Sequence, residues 1–286
     1  MLVGIGALIV LGCVFGAYAA HGGHMGVLWQ PQEFVIILGA AAGAYVIGNS
    51  KATLKASGKA IKRALRGAQY KRKDYIELLS LMYQLFKLAK SKGMLALEQH
   101  VEKPEESALF AQFPRFTADH HAQEFLCDYL RMMTLGTENA HEIEALIDSE
   151  LETHHLELHN VAHAIQSMAD GMPALGIVAA VLGVIHTMGS ITEPPAVLGH
   201  LIGAALVGTF LGVLLSYGFV APIANAVKTA DEADAKYYQC MKAGLLAYIQ
   251  GYAPAVAVEF ARKVLLSTER PNFYDVEEAV NALPPV

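Results

Sequence analysis

Histidines carry most of the chemistry that this sequence offers near neutral pH. His155, His159 and His163 recur every four residues, with His154 beside them, so on a helix three imidazoles share one face. Such a row is able to ligate a metal or to change charge around neutral pH. No Cys or carboxylate completes a clear ligand set at helical spacing, so a polar face, solvated or between subunits, is the plainer reading. His186 and His200 stand at the ends of two apolar runs, placed either to titrate near an ion entrance or simply to sit at an interface. Covalent and nucleotide chemistry find no support. There is no G-x-S-x-G and no P-loop, and Gly4 and Gly6 open a GxG that lacks its third glycine. Cys13, Cys127 and Cys240 have neither zinc nor disulfide spacing and read as free thiols, in a reducing compartment or in lipid. An enzyme is not expected, and no cofactor or metal is implied.

The elements that hold these residues are apolar. Of 286 residues 54% are hydrophobic and 17% charged, and the mean hydropathy of +0.35 is too high for an ordinary soluble domain. Two runs dominate: residues 171–190, GMPALGIVAAVLGVIHTMGS, and 198–225, LGHLIGAALVGTFLGVLLSYGFVAPIAN. Each suffices to cross a bilayer, which takes about 20 apolar residues. A short hairpin, ITEPPAV, joins them, and each has one proline near an end, Pro173 and Pro222. Leu2–Ala20 is a further span, retained rather than cleaved, because no Lys or Arg precedes it as in a signal peptide. Residues 21–32 form an uncharged hairpin with Trp29 as an interfacial anchor, and 34–49 is a short second span. Gly12/Gly16 and Gly39/Gly43 have GxxxG spacing, which is either a close-contact face or chance in glycine-rich runs.

Charge placement gives the topology. Nine Lys and Arg crowd into residues 51–73, whereas 1–50 and 132–227 contain none. Sparse aromatic interleaving and an adjoining span argue against nucleic acid, and the positive-inside rule puts the cluster in the cytoplasm. With four spans both termini follow it there, and the hairpins face the periplasm. Residues 51–170 then form a cytoplasmic helical domain. IELLSLMYQLFKLAK is one helix, MLALEQHVEK a second, 116–135 a third, and Thr137-Glu138 opens a long fourth that runs almost directly into the third span. Residues 220–263 read as one long helix, followed by a stop at Pro271. The expected fold is all-α: a polytopic membrane protein with four transmembrane helices and a helical cytoplasmic domain. Its parts are 1–50 (spans one and two), 51–170, 171–225 (spans three and four) and 226–286 (a cytoplasmic C-terminal helix and tail).

An intramembrane acid or base usually marks an ion relay, and the four spans as drawn hold none at mid-depth. Spans three and four are instead rich in small and hydroxyl residues: Gly176, Ala179, Ala180, Gly183, Thr209 and Ser216. Such a surface lines a narrow path or packs against another helix. If ions pass, the titrating carboxylate comes from another protein; the residues alone leave plain packing equally open.

Several long stretches resemble the MotA family of flagellar motor stator subunits: LGCVFGAY, WQPQEFVIILGAAAGAYVIGN, MADGMPALGIVAAVLGVIHTMGS, ALVGTFLGVLLSYGFVAPIA and GYAPAVAVEFARKVLLSTERP. The resemblance implies a homo-oligomer, a pentameric ring around two MotB-type partners. The single transmembrane helix of that partner carries the proton-binding Asp, and the cytoplasmic domain pushes the rotor switch protein FliG. It implies that Pro173 and Pro222 couple ion flow to movement, that Lys90 and Glu98 contact the rotor, and that Thr209 faces the channel. The family often has Arg where Lys90 stands, so the charge stays but the planar fork is lost; read by themselves, Lys90 and Glu98 are ordinary solvated charges. Sodium-driven relatives carry a Thr at the position of Ala180, which favours protons here. The expected function is a proton-channel subunit of the stator in the bacterial inner membrane. The rivals are a TolQ/ExbB-like subunit energising another envelope system, a sodium-driven stator subunit and a purely structural membrane scaffold. TolQ/ExbB-like chains generally lack the extra N-terminal span and the GYAPAVAVEFARK tail motif.

Overall fold

The computed structural model describes residues 2–136 and 139–284, and every element among them is helical. The chain divides into two units. One takes residues up to Gly67 together with Glu157–Ala230; the other takes Ala68–Leu156 together with residues from Asp231 onward.

Apart from the charged α4, the first unit draws mainly on helices that are apolar all round. Helix α1 (Leu2–Ala20) buries none of its residues within the chain, as befits a helix whose surroundings are lipid or other subunits. After the short α2 (Met25–Leu28), helix α3 spans Pro31–Gly48. It starts three residues earlier than the expected 34, because Pro31 sits in the first turn, where its fixed φ suits a helix and its missing N–H costs nothing. The charged α4 (Lys51–Ala64) is amphipathic: Ser50 caps it by accepting from the Thr53 N–H at 3.1 Å, and its alanine face joins a small core of Ala60, Ala64, Val161, Ile165, Ala224 and Val227. A second core unites Ile37 and Ala41 of α3 with Met172, Ala179, Val207 and Leu211 of the two helices described next.

Among the described residues, four helical stretches are long and apolar enough to cross a membrane: Leu2–Ala20, Met25–Gly48, Ala140–Met188 and Pro195–Ile249. The third contains α9 (Ala140–Met188), a single helix of 49 residues that passes through Pro173 without a break. At 1.5 Å per residue it is about 74 Å long, more than twice the ~30 Å of a bilayer core, so the expected run from the polar helix into the third span is present. Thr137 and Glu138, expected to open it, lie outside the described residues. The fourth is composite: α10 (Pro195–Leu215), a π-helical turn (Ser216–Val220) and α11 (Ala221–Ile249).

The second unit packs around helix α5 (Arg72–Lys92), whose Leu78, Leu79, Met82, Leu85 and Phe86 are fully buried. Gly93 at φ 84° ends α5, a left-handed conformation that glycine adopts without strain. Helix α6 (Leu95–Glu102) follows, then two short 3₁₀ turns. The expected helix over 116–135 is divided into α7 (Pro114–Thr117) and α8 (His120–Thr134), because Asp119 leaves the helix to cap α8, accepting from the Ala122 N–H at 3.2 Å. The expected single helix over 220–263 is likewise interrupted: α11 stops at Ile249, Gly251 turns at φ 90°, and Pro254 begins α12 (Pro254–Lys263). Helix α13 (Phe273–Asn281) closes the described chain and packs on α5, as α12 does.

Candidate functional site

The site is assembled where α9 and α10 cross. A methyl group on Gly176 would lie 2.8 Å from the Gly208 carbonyl oxygen and 3.0 Å from the Gly212 Cα. One on Gly212 would meet the Gly176 Cα and the Met172 carbonyl oxygen, both at 2.8 Å. The two backbones therefore touch, which only residues without a side chain allow. Gly183 meets Ala205 in the same way, a methyl there falling 2.7 Å from the Ala205 Cβ. Of the small residues that the sequence offered for a path or for packing, Gly176, Ala179 and Gly183 serve this crossing. Ala180 and Thr209 flank it and remain half-buried. Gly12, Gly16, Gly39 and Gly43 face open space within the chain, so their GxxxG spacing serves no contact inside one subunit.

Pro173 and Pro222 lie beside this crossing, and each removes one backbone donor from its helix. Pro173 has no N–H for the carbonyl four residues back, which is Ala169. That carbonyl accepts instead from the Ser216 hydroxyl at 2.6 Å. Ser216 is fully buried and opens the π-turn. There the Ala221 N–H reaches back five residues to the Ser216 carbonyl, and the wider turn accommodates Pro222 immediately after it. The Ser216 N–H is shared between the carbonyls of Gly212 and Val213. One serine thus links the carbonyl that Pro173 leaves without its helical donor to the π-turn ahead of Pro222. Pro173 is half-buried and Pro222 exposed. Ser216 was visible in the sequence only as a hydroxyl among small residues; the signal that finds it is its position six residues before the second proline.

The sequence reading also passed over Glu33. It drew the second span from 34 onward, and α3 begins at Pro31, so an acid lies inside an apolar helix after all. Glu33 is 8% exposed and its Oε2 is buried without a hydrogen-bond partner. A methyl on Gly208 would lie 2.5 Å from that oxygen, and one on Gly183 would lie 3.8 Å from Oε1. The carboxyl fills the notch that these two glycines leave. The same point over Gly208 is 3.0 Å from the Ala180 backbone nitrogen, so the carboxyl sits beside Ala180, and Thr209 is the next residue along α10. Its sequence signal was plain in hindsight: it is the one charged residue before Lys51, and it follows a proline that is able to start a helix.

In the second unit Lys90 lies in the last turn of α5 and Glu98 in the first turn of α6, the two helices being joined through Gly93. Both side chains are exposed and neither is held in an ion pair. Lys90 borders a cleft of about 430 Å³ formed with Met94, Met133, Tyr248 and Tyr252. The histidine row runs along α9 with exposed side chains at 154, 155, 159 and 163, and the His159 and His163 rings are 6.0 Å apart. Among the described residues no group of three potential metal ligands converges. His186 and His200 are exposed. Burial pushes the Cys127 thiol up to about 12 and the Cys240 thiol higher still.

Residues 4–93 match the family described as Motility protein A N-terminal, and residues 117–239 match the MotA/TolQ/ExbB proton channel family. Motility protein A of Salmonella typhimurium is 46% identical over 283 residues, covering 99% of this chain and 96% of that one. Motility protein A of Escherichia coli is equally similar, with the same coverage. The fold is that of the Campylobacter jejuni MotAB structure, with TM-score 0.77 at 19% identity over 94% of this chain and 97% of that one. The Bacillus subtilis flagellar MotAB stator complex gives 0.71 at 24% identity, over 89% and 92%. With 46% identity over nearly the whole chain, this protein belongs to the motility protein A family, and its residues 117–239 carry the segment shared with the MotA/TolQ/ExbB proton channel family.

Proposed function

We propose that this chain is the ion-channel subunit of a flagellar motor stator, coupling proton flow across the inner membrane to torque on the rotor. The observation that carries the reading is the 46% identity along the whole chain to motility proteins A. It is a channel subunit rather than an enzyme. The MotA-type assignment is favoured over a TolQ/ExbB-like one because both the N-terminal and the channel segments match.

The finer parts of the proposal rest on residue chemistry. Spans three and four face a MotB-type partner whose transmembrane Asp binds the proton, and several copies of this chain, a pentamer, surround it. Thr209 and Ala180 border the path. Ala180 adds no side-chain oxygen, whereas a dehydrated Na⁺ needs additional oxygen ligands, and this supports protons as the coupling ion. Pro173 and Pro222 convert protonation into helix movement, since each stands at a point where the regular hydrogen-bond ladder is already interrupted. Residues 51–170 and 226–286, with both termini, are cytoplasmic, in keeping with the basic cluster at 51–73. Lys90 and Glu98, exposed and without ion pairs, are free to meet charges on FliG. A charge moved through about 100 mV supplies ~2.3 kcal/mol, so no nucleotide is needed.

The test is a swarm assay on a strain in which this gene is deleted. Loss of swarming with flagella still assembled, restored by the gene on a plasmid, is the expected result. Unimpaired motility would sink the flagellar reading.

A further inference from the structure

The strongest unexplained feature of the first unit is the carboxyl of Glu33. It is the one Asp, Glu, Lys or Arg before Lys51, and between Gly171 and Pro222 the only other is Glu193, in the hairpin. Helices α9 and α10 meet it at Gly183 and Gly208. The titratable side chains toward the hairpin side are His21 and His24 before α2, His186 on α9, Glu193 in the second hairpin and His200 on α10, all exposed. None of them hydrogen-bonds the buried Oε2. A carboxyl oxygen buried in apolar surroundings without a partner is costly to keep, and intramembrane acids that persist mark proton or ion relays. The glycines make room for it: any side chain at Gly208 would collide with Oε2.

We propose that Glu33 is a proton-exchange group belonging to the channel subunit itself, at the hairpin end of the path beside Ala180 and Thr209. It takes a proton from the solution on that side and passes it inward. The step is the gain of one O–H bond at the carboxylate and its loss to the next acceptor; no other bond changes. The inference rests on the proton-channel reading above, and it adds a second carboxyl to the one expected on the partner.

The experiment uses the complex with its partner, the partner's plug removed, in liposomes under an imposed potential. Proton flux is followed as a function of the pH on the hairpin side. E33Q is expected to lower the flux about tenfold, equal to ~1.4 kcal/mol, and E33D to keep most of it with a displaced pH profile. Flux and pH profile unchanged in E33Q would overturn the proposal, as would E33D falling as far as E33Q, which would make the residue a packing group only. Should E33Q not assemble, the wild-type complex treated with dicyclohexylcarbodiimide, which adds to protonated carboxyls in apolar sites, decides the matter by peptide mass. An adduct on Glu33 that blocks flux supports exchange there, and an unmodified Glu33 refutes it. A wild-type complex that carries no protons would instead contradict the channel reading, while the adduct would still report proton exchange at Glu33.

Discussion

The Ser216 hydroxyl donates to the Ala169 carbonyl at 2.6 Å, and Ala169 is the residue whose helical partner Pro173 removes. In a membrane a carbonyl freed by proline must find a donor within the protein. Here the donor comes from the neighbouring helix, from the residue whose own carbonyl closes the π-turn ahead of Pro222. The two prolines, far apart in sequence, therefore act on one shared hydrogen-bonded junction.

Replacing that hydroxyl tests the junction. Ser216→Ala leaves a buried carbonyl without its donor, at a cost of about 1–3 kcal/mol. The expected outcome is a lower thermal midpoint of the purified complex and slower swimming at normal membrane levels, with Ser216→Thr closer to wild type because it keeps the hydroxyl. An unchanged midpoint and unchanged speed in Ser216→Ala would show that the bond contributes nothing.

Pro173→Ala acts from the other side. The new N–H takes the Ala169 carbonyl in an ordinary helical bond and leaves Ser216 without its acceptor. The complex is expected to assemble at wild-type levels but to generate no torque, measured on tethered cells. Normal rotation would rule out the coupling role.

The glycine crossing makes a graded prediction. Gly176→Ala and Gly212→Ala place a methyl within 2.8 Å of backbone atoms on the facing helix, so the helices must separate. Both should lower membrane levels of the complex and abolish swarming. Gly203→Ala is the control, since its methyl meets only the Val27 Cγ1 at 3.8 Å. Equal behaviour of all three would contradict the close crossing.

The cysteines report on the second unit. Cys127 and Cys240 are buried, and burial raises both thiols, Cys127 to about 12. A raised pKa means less thiolate at neutral pH and hence slower alkylation. Maleimide added to the native complex at pH 7 should leave both unmodified and label them only after denaturation. Rapid labelling of Cys240 in the native complex would show that the core around α5 is open.

Much of this was legible in the sequence, and the exceptions have physical causes. The long apolar runs, the basic cluster after the second span and the continuity of α9 followed from hydropathy, charge and the lack of a breaker. The breaks at Asp119 and at Gly251 were missed because periodicity continues across them; a cap and a left-handed glycine interrupt the backbone without interrupting the apolar pattern. Glu33 was missed for a related reason. Hydropathy places a span where charge stops, whereas the helix starts where Pro31 allows it to, and the acid lies between those two points. The role of Ser216 depends on a contact across 47 residues, which no local pattern encodes.

The central claim is that this chain, together with a MotB-type partner, conducts protons. It is tested most directly by measuring flux through the co-purified complex, partner plug removed, in liposomes with and without Na⁺. Proton flux that is the same in both media, and absent when this chain is reconstituted alone, is the expected result. Flux that requires Na⁺, or none from the complete complex, would contradict it.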